Sequence, residues 1–187
     1  MLYALRLARV FLLACSTVVL VGAPARAQEE PTALERRVKA AFLYKFTGYV
    51  DWPPGTFARA DSPVTIGVMG DDVLASEILQ LVTGRTIDGR PLAVRRVTLA
   101  DLAAVHILFV GRADTPRLPQ IVKALPPTPT LVVSESADAF KHGSVINFVL
   151  VEGRVRFDVS LDAAQRRGIR LSSRLLAVAR EIQGAPQ

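Results

Sequence analysis

The chain has 187 residues, of which half are hydrophobic, 23 are Lys or Arg and 17 are Asp or Glu, a formal charge of +6 with a single cysteine. At ~100–200 residues per domain this length suits one domain, and the composition is too apolar for a disordered chain and too charged for a multi-span membrane protein. One cysteine excludes an internal disulfide framework and any cysteine-based zinc or iron–sulfur site.

Residues 1–27 read as a secretory signal peptide. Arg6 and Arg9 form a positive n-region, Val10 to Gly22 an apolar h-region of 13 residues, and Ala25-Arg26-Ala27 a small-x-small pattern that places cleavage before Gln28. The apolar run is shorter than the about 20 residues of a membrane span. Leu12-Leu13-Ala14-Cys15 resembles a lipoprotein cleavage site, but leaves only Val10 to Ala14 as h-region, below the ~7 residues usually required. Removing Arg6, Arg9 and Arg26 leaves 20 cations against 17 anions, a mature charge of +3 on residues 28–187, with no cysteine. Such a charge makes no case for nucleic acid, whose binders carry a clustered basic face.

Thr32 can cap a helix with Leu34, Val38, Ala41, Phe42, Phe46 and Tyr49 on one stripe, stopped by Pro53-Pro54. Pro63 to Met69 reads as a strand, Val73 to Val82 as a helix, and Leu92 to Val97 as a second strand, with turn signals at Thr83-Gly84-Arg85 and Asp88-Gly89. Leu99 to Ala104 reads as a helical turn, and the apolar run Val105 to Val110 as a strand buried on both faces. A short helix at Pro116 to Ala124, a strand at Thr130 to Val133 and a helical turn at Ala137 to His142 follow. Val145 to Val151 and Arg154 to Ser160 form a hairpin around Glu152-Gly153, the glycine supplying positive φ. In its second strand Val155, Phe157 and Val159 are expected inward and Arg154, Arg156, Asp158 and Ser160 outward. Asp162 to Arg167 reads as a helix stopped by Gly168, Ile169 to Leu171 as a short strand. Ser172 or Ser173 caps a last helix with Leu175, Val178, Ala179 and Ile182 on one face. The alternation predicts a single-domain α/β layered mixed sheet flanked by helices, Rossmann-like in order, with a β-hairpin in its C-terminal half.

The candidate chemistry is sparse. Gly67-Val68-Met69-Gly70-Asp71-Asp72 joins a strand to a helix, yet lacks the third glycine of a dinucleotide loop, and its aspartates would repel phosphate; a turn with an N-cap explains it. The histidines are His106, inside an apolar run, and His142, at a helix end, too few for a metal cluster; core packing and capping account for them. Ser134, Ser136, Asp138 and His142 lie close in sequence without a nucleophile elbow. No catalytic residue, metal or cofactor is implied, and the expectation is a non-enzyme.

Two surface features suggest a partner. The outward row Arg154, Arg156 and Asp158 is either a binding strip or a solvated strand face, the latter being commoner. Tyr44, Tyr49 and Trp52 gather aromatics at a helix end, as a binding hot spot or, more often, as part of the core.

The segment VKAAFLYKFTGYVDWP (Val38 to Pro53) closely resembles the opening of YfiR-like periplasmic proteins. Similar runs fall at Ile66 to Gly70, His106 to Val110, Val132 to Ser134, Gly143 to Phe148, Arg156 to Val159 and Ile169 to Leu176, the last containing the LSSRLL motif, so the likeness spans residues 28–187. It implies an α/β regulatory domain of the periplasm. The best-known type inhibits an inner-membrane diguanylate cyclase by binding its periplasmic region, and an outer-membrane lipoprotein can sequester that inhibitor, coupling the envelope to cyclic-di-GMP and biofilm. The chain departs from the family in having no cysteine after Gln28, in Lys45 where Asn is common, and in Val105 where a Cys can precede the His106 position; redox control is thereby not expected. A homodimer stays open, as does a second reading as a periplasmic small-molecule-binding sensor with a pocket in the sheet.

Overall fold

A computed structural model describes residues 32–184; the signal-peptide reading, with Ala25, Ala27 and Gln28, lies outside them. The chain runs α1 (Ala33–Phe46), β1 (Val50–Asp51), β2 (Val64–Met69), α2 (Asp72–Val82), β3 (Thr86–Ile87), β4 (Arg90–Arg96), β5 (Ile107–Val110), α3 (Leu118–Ala124), β6 (Leu131–Ser134), β7 (Ile146–Val151), β8 (Arg154–Ser160), α4 (Leu161–Arg166), β9 (Arg170–Leu171), α5 (Ser173–Leu176) and β10 (Glu181–Gln183). An eight-stranded mixed sheet has the order β10-β8-β7-β6-β5-β2-β4-β3, and β1 pairs with β9 in a separate two-stranded sheet. The expected α/β layered mixed sheet is the one observed.

The helices form where local chemistry supports them. Thr32 accepts the Glu35 N–H at 3.1 Å and starts α1, and Asp71 accepts the Leu74 N–H at 2.8 Å and starts α2, so the Gly70-Asp71-Asp72 turn is an N-cap. β2, β5 and β6 are buried from end to end because helices cover both faces of the sheet. On one face α1, α2 and α4 bury Leu43, Phe46, Leu74, Ile78 and Ala163 against Ile66, Phe109, Phe148 and Phe157. On the other, α3 buries Leu118 and Ile121 against Leu108, Val110 and Val132.

Four expectations about the helices are corrected. Helix α1 ends at Phe46, well before the prolines, because Val50 and Asp51 pair with Leu171 and Arg170 of β9 and Ser172 N–H donates to Tyr49 O at 2.9 Å; Tyr49 is therefore outside the helix. Its buried side is also rotated: Glu35, Lys39, Ala40, Leu43 and Phe46 face inward, while Leu34 is 71% exposed. Leu99 to Ala104 is not helical. There Thr98 and Asp101 close a tight turn on each other (Thr98 Oγ1 to Asp101 Oδ2, 2.7 Å), the local side-chain bonding that competes with helix. The last helix is the single turn α5, capped by Ser172. Ile182 lies in β10, recruited by parallel pairing with β8, so Leu175, Val178 and Ile182 share no helical face.

The hairpin β7–β8 matches its expected register, with Glu152 (φ 50°) and Gly153 (φ 72°) both in the left-handed region that a two-residue type I′ turn requires. Val155, Phe157 and Val159 point inward as expected. Asp158 and Ser160 do not point to solvent: both are 5% exposed, because β10 lies beside them and Ser160 caps α4. A second two-residue turn at Asp88-Gly89 adds β3 to β4, a strand not anticipated from the sequence.

Candidate functional site

Strands β4 and β5 flank β2 and leave it in opposite directions, which makes their boundary the topological switch point where α/β sheets usually hold ligands. Here that crevice is closed. A Cβ on Gly111 would stand 2.9 Å from the Gly70 carbonyl oxygen, so the loops after β2 and β5 touch backbone to backbone. The open volume lies further along the carboxyl edge, as a cleft of about 590 Å³ between the segment after β6 and strands β7, β8 and β10.

The floor of the cleft is a buried charge cluster. Lys39, only 2% exposed, donates to Glu35 Oε1 at 2.5 Å and to Glu135 Oε2. Arg112, half-buried, reaches the same two carboxylates, Glu35 at 2.9 Å and Glu135 at 3.3 Å, and its main-chain N–H donates to Glu135 Oε1 at 3.2 Å. Two cations thus balance two anions, each shared, which is the condition under which buried ions are tolerated. The cluster joins α1 to the chain just past β5 and β6. Nearby, Arg180 grips Asp158 with two nitrogens (Nε to Oδ1, 2.7 Å; Nη2 to Oδ2) and ties the start of β10 to β8. Ser134, at the end of β6, is fully buried and hydrogen-bonded to Ser144 Oγ at 3.0 Å, and Asp138 pairs with Lys141 at 2.7 Å, so these groups serve the local structure.

At the opposite, amino edge of the sheet stands an aromatic group. Phe57 stacks on His106 (centroids 4.7 Å, 17°), Trp52 meets both rings edge-on, and the Arg90 guanidinium lies 4.0 Å from the Phe57 ring centre. Trp52 Nε1 is buried without a hydrogen-bond partner among the described residues and borders a cavity of about 360 Å³. His106 is a sheet-end histidine whose Nδ1 accepts the Thr65 N–H at 3.1 Å, and burial, then the Arg90 charge, hold its pKa below 6.5. The unfolded chain therefore binds a proton that the folded one rejects, so the stabilisation is complete above about pH 6.5 and fades as the pH falls through the lowered value. The melting temperature is expected to drop between about pH 7 and 5. His106→Asn, which keeps an acceptor without the titration, should flatten that slope; identical slopes in both proteins would refute the assignment.

The six residues proposed from sequence as partner contacts fall into two separate groups. Tyr44, under the Arg85 guanidinium at 5.3 Å, Tyr49 and Trp52 are half-buried and pack on the main core. Arg154 and Arg156 are exposed on β8, whereas Asp158 is engaged by Arg180. Sequence reasoning missed the Glu35–Lys39–Arg112–Glu135 cluster. A Glu and a Lys four apart on a helix ordinarily mark a solvated face, and among the further charges Arg36, Arg37 and Lys45 of the same helix nothing local set this pair apart.

The fold and cleft define an α/β domain with a polar, charge-balanced cleft at one end of its sheet. The chain belongs to the YfiR/HmsC-like family, whose model matches residues 36–180; the family comprises periplasmic regulatory proteins of cyclic-di-GMP signalling. Among solved structures it is similar to a conserved domain protein from Vibrio cholerae O1 biovar El Tor (TM-score 0.52, 13% identity), with 79% of this chain and 60% of that chain covered, a likeness of fold. No helix among the described residues is long and apolar enough to cross a membrane.

Proposed function

We propose that this protein represses an inner-membrane diguanylate cyclase by binding the cyclase's periplasmic sensor region, and that an outer-membrane lipoprotein relieves the repression by holding it away. The signal peptide, cleaved before Gln28, delivers residues 28–187 to the periplasm. The observation that carries the reading is membership of the YfiR/HmsC-like family across nearly all of the described chain. The protein supplies no chemistry. It acts as any binding regulator does, by favouring the state of its target to which it binds better. The aromatic group at Tyr44, Tyr49 and Trp52 and the arginines Arg154 and Arg156 are its contact surfaces, with Asp158 steadying the second through Arg180. Deleting the gene is expected to raise cellular cyclic-di-GMP and biofilm, and Trp52→Ala or Arg154→Ala in the intact protein should weaken repression. Unchanged cyclic-di-GMP in the deletion strain, with no envelope partner co-purifying, would sink the proposal.

A further inference from the structure

The register of the sheet leaves the β7–β8 hairpin projecting past its neighbours. β6 pairs with β7 only at Ile146 and Asn147, and β10 pairs with β8 only from Asp158 to Ser160, preceded by the Arg180 N–H to Phe157 O bond, so among the described residues 149–151 and 154–156 pair only with each other. Where a longer β6 would run beside β7, the chain turns away at Glu135 and the 590 Å³ cleft opens, bordered by Phe148, Val149 and Leu150.

The phase of the ladder says which main-chain groups face that space. Ser160 N–H donates to Val145 O at 2.8 Å, which makes the odd-numbered residues of β7 the hydrogen-bonded partners of β8. Arg180 N–H donates to Phe157 O at 2.9 Å, so Phe157 points away from β7 and confirms the phase from the other strand. Leu150 stands opposite Val155 in a non-hydrogen-bonded pair, and its N–H and C=O are directed away from β8, to the cleft side. Its side chain is 48% exposed. On the other face of the ribbon Arg154 and Arg156, opposite Val151 and Val149, are exposed and form no ion pair among the described residues.

An unpaired strand edge beside a cleft is a template for one more strand. We propose that the free edge of β7, centred on Leu150, binds an extended acidic segment of a partner protein by strand addition. The segment's main chain pairs with Leu150, and its carboxylates turn toward Arg154 and Arg156. At a strand spacing of ~4.8 Å the added strand lies ~10 Å from β8, a gap the two arginine side chains can bridge across Val149 and Val151. The Leu150 side chain, on the opposite face, offers an apolar contact. Only the identity of the partner rests on the regulatory reading; the edge and its charges belong to this chain.

The test uses the mature chain and synthetic peptides of about eight residues: an alternating Glu/Val sequence, its Lys/Val counterpart, and the Glu/Val sequence interrupted by proline. Titration calorimetry should find binding for the uninterrupted acidic peptide alone, and hydrogen exchange at the Leu150 amide should slow in its presence. Leu150→Pro removes the outward N–H at an edge position that tolerates proline, and should weaken binding at least about tenfold. The double variant Arg154→Glu, Arg156→Glu should do the same with an unchanged melting temperature, and it decides the matter if the proline variant does not fold. No binding of the acidic peptide, equal binding of the basic one, or affinity unaffected by the variants overturns the proposal. So does Leu150 protection that grows with protein concentration alone, which would assign the edge to a second copy. Peptide binding at this edge with unchanged cyclic-di-GMP in the deletion strain removes the cyclase reading and keeps the edge; the reverse pair of results does the opposite.

Discussion

Lys39→Met is expected to cost about 3–5 kcal/mol of folding free energy, the loss typical of removing one partner from a buried ionic group. In a domain of this size that corresponds to a melting temperature lower by ~6–20 °C. The reason is the arithmetic of the cluster. With Lys39 present, two cations face Glu35 and Glu135; without it, Arg112 alone must satisfy both carboxylates, each at least 90% shielded from solvent. The methionine fills the space but leaves one uncompensated negative charge, and the desolvation of that charge sets the magnitude. Adding Glu135→Gln to Lys39→Met restores the charge balance and should recover a substantial part of the loss. A double-mutant cycle read by thermal and urea denaturation measures the coupling. A single-variant loss below about 1 kcal/mol, the range of exposed pairs, would show that the cluster is solvated rather than buried.

The second large effect is expected from Phe157→Ala, at about 3–5 kcal/mol. Phe157 is 1% exposed and meets Phe42 and Phe46 edge-on, both at 5.2 Å between ring centres. Each such pair adds about 0.5–1.5 kcal/mol to the area buried. The position also matters: Phe157 stands where β8 leaves its pairing with β10 and enters the projecting hairpin, so its ring on α1, together with that of Phe148, holds the hairpin to the body. Phe157→Leu should cost much less than Phe157→Ala because it keeps most of the volume. Amide exchange in residues 148–157 should accelerate in the alanine variant more than in β2 or β5. A uniform acceleration across the sheet, or a loss under about 1 kcal/mol, would contradict this account.

These two residues also show how far the sequence could be read. Phe157 was legible as an inward position, because the alternation of Arg154 to Val159 is a period-of-two signal needing no knowledge of the rest of the chain. Lys39 was not. Its partner Glu135 is 96 positions away, and Arg112 meets Glu35 across 77. Counting apolar residues along α1 therefore selected a stripe through Leu34 and Ala41, whereas the true buried side carries Glu35 and Lys39. Asp158 failed for a related reason: it reads as the outward half of an alternating strand until β10 and Arg180 come to lie beside it. The same long-range pairing turned the end of a reasonable helix pattern, at Ile182, into strand, and cut α1 short when β9 captured Val50 and Asp51.

By itself the sequence determined what acts within a few residues: the cap at Thr32, the caps within Asp71-Asp72 and Ser172-Ser173, the two-residue turn at Glu152-Gly153, the strands around Ile66 and Phe109, and the motifs that mark the family. Tertiary structure alone decided the ionic floor of the cleft, the orientation of α1 above it, the pairing that buries Asp158, and the unpaired edge at Leu150. Capping and turn formation are settled by neighbouring backbone groups. The pairing of a buried charge or of a strand edge depends on groups that only the folded chain brings within hydrogen-bond distance.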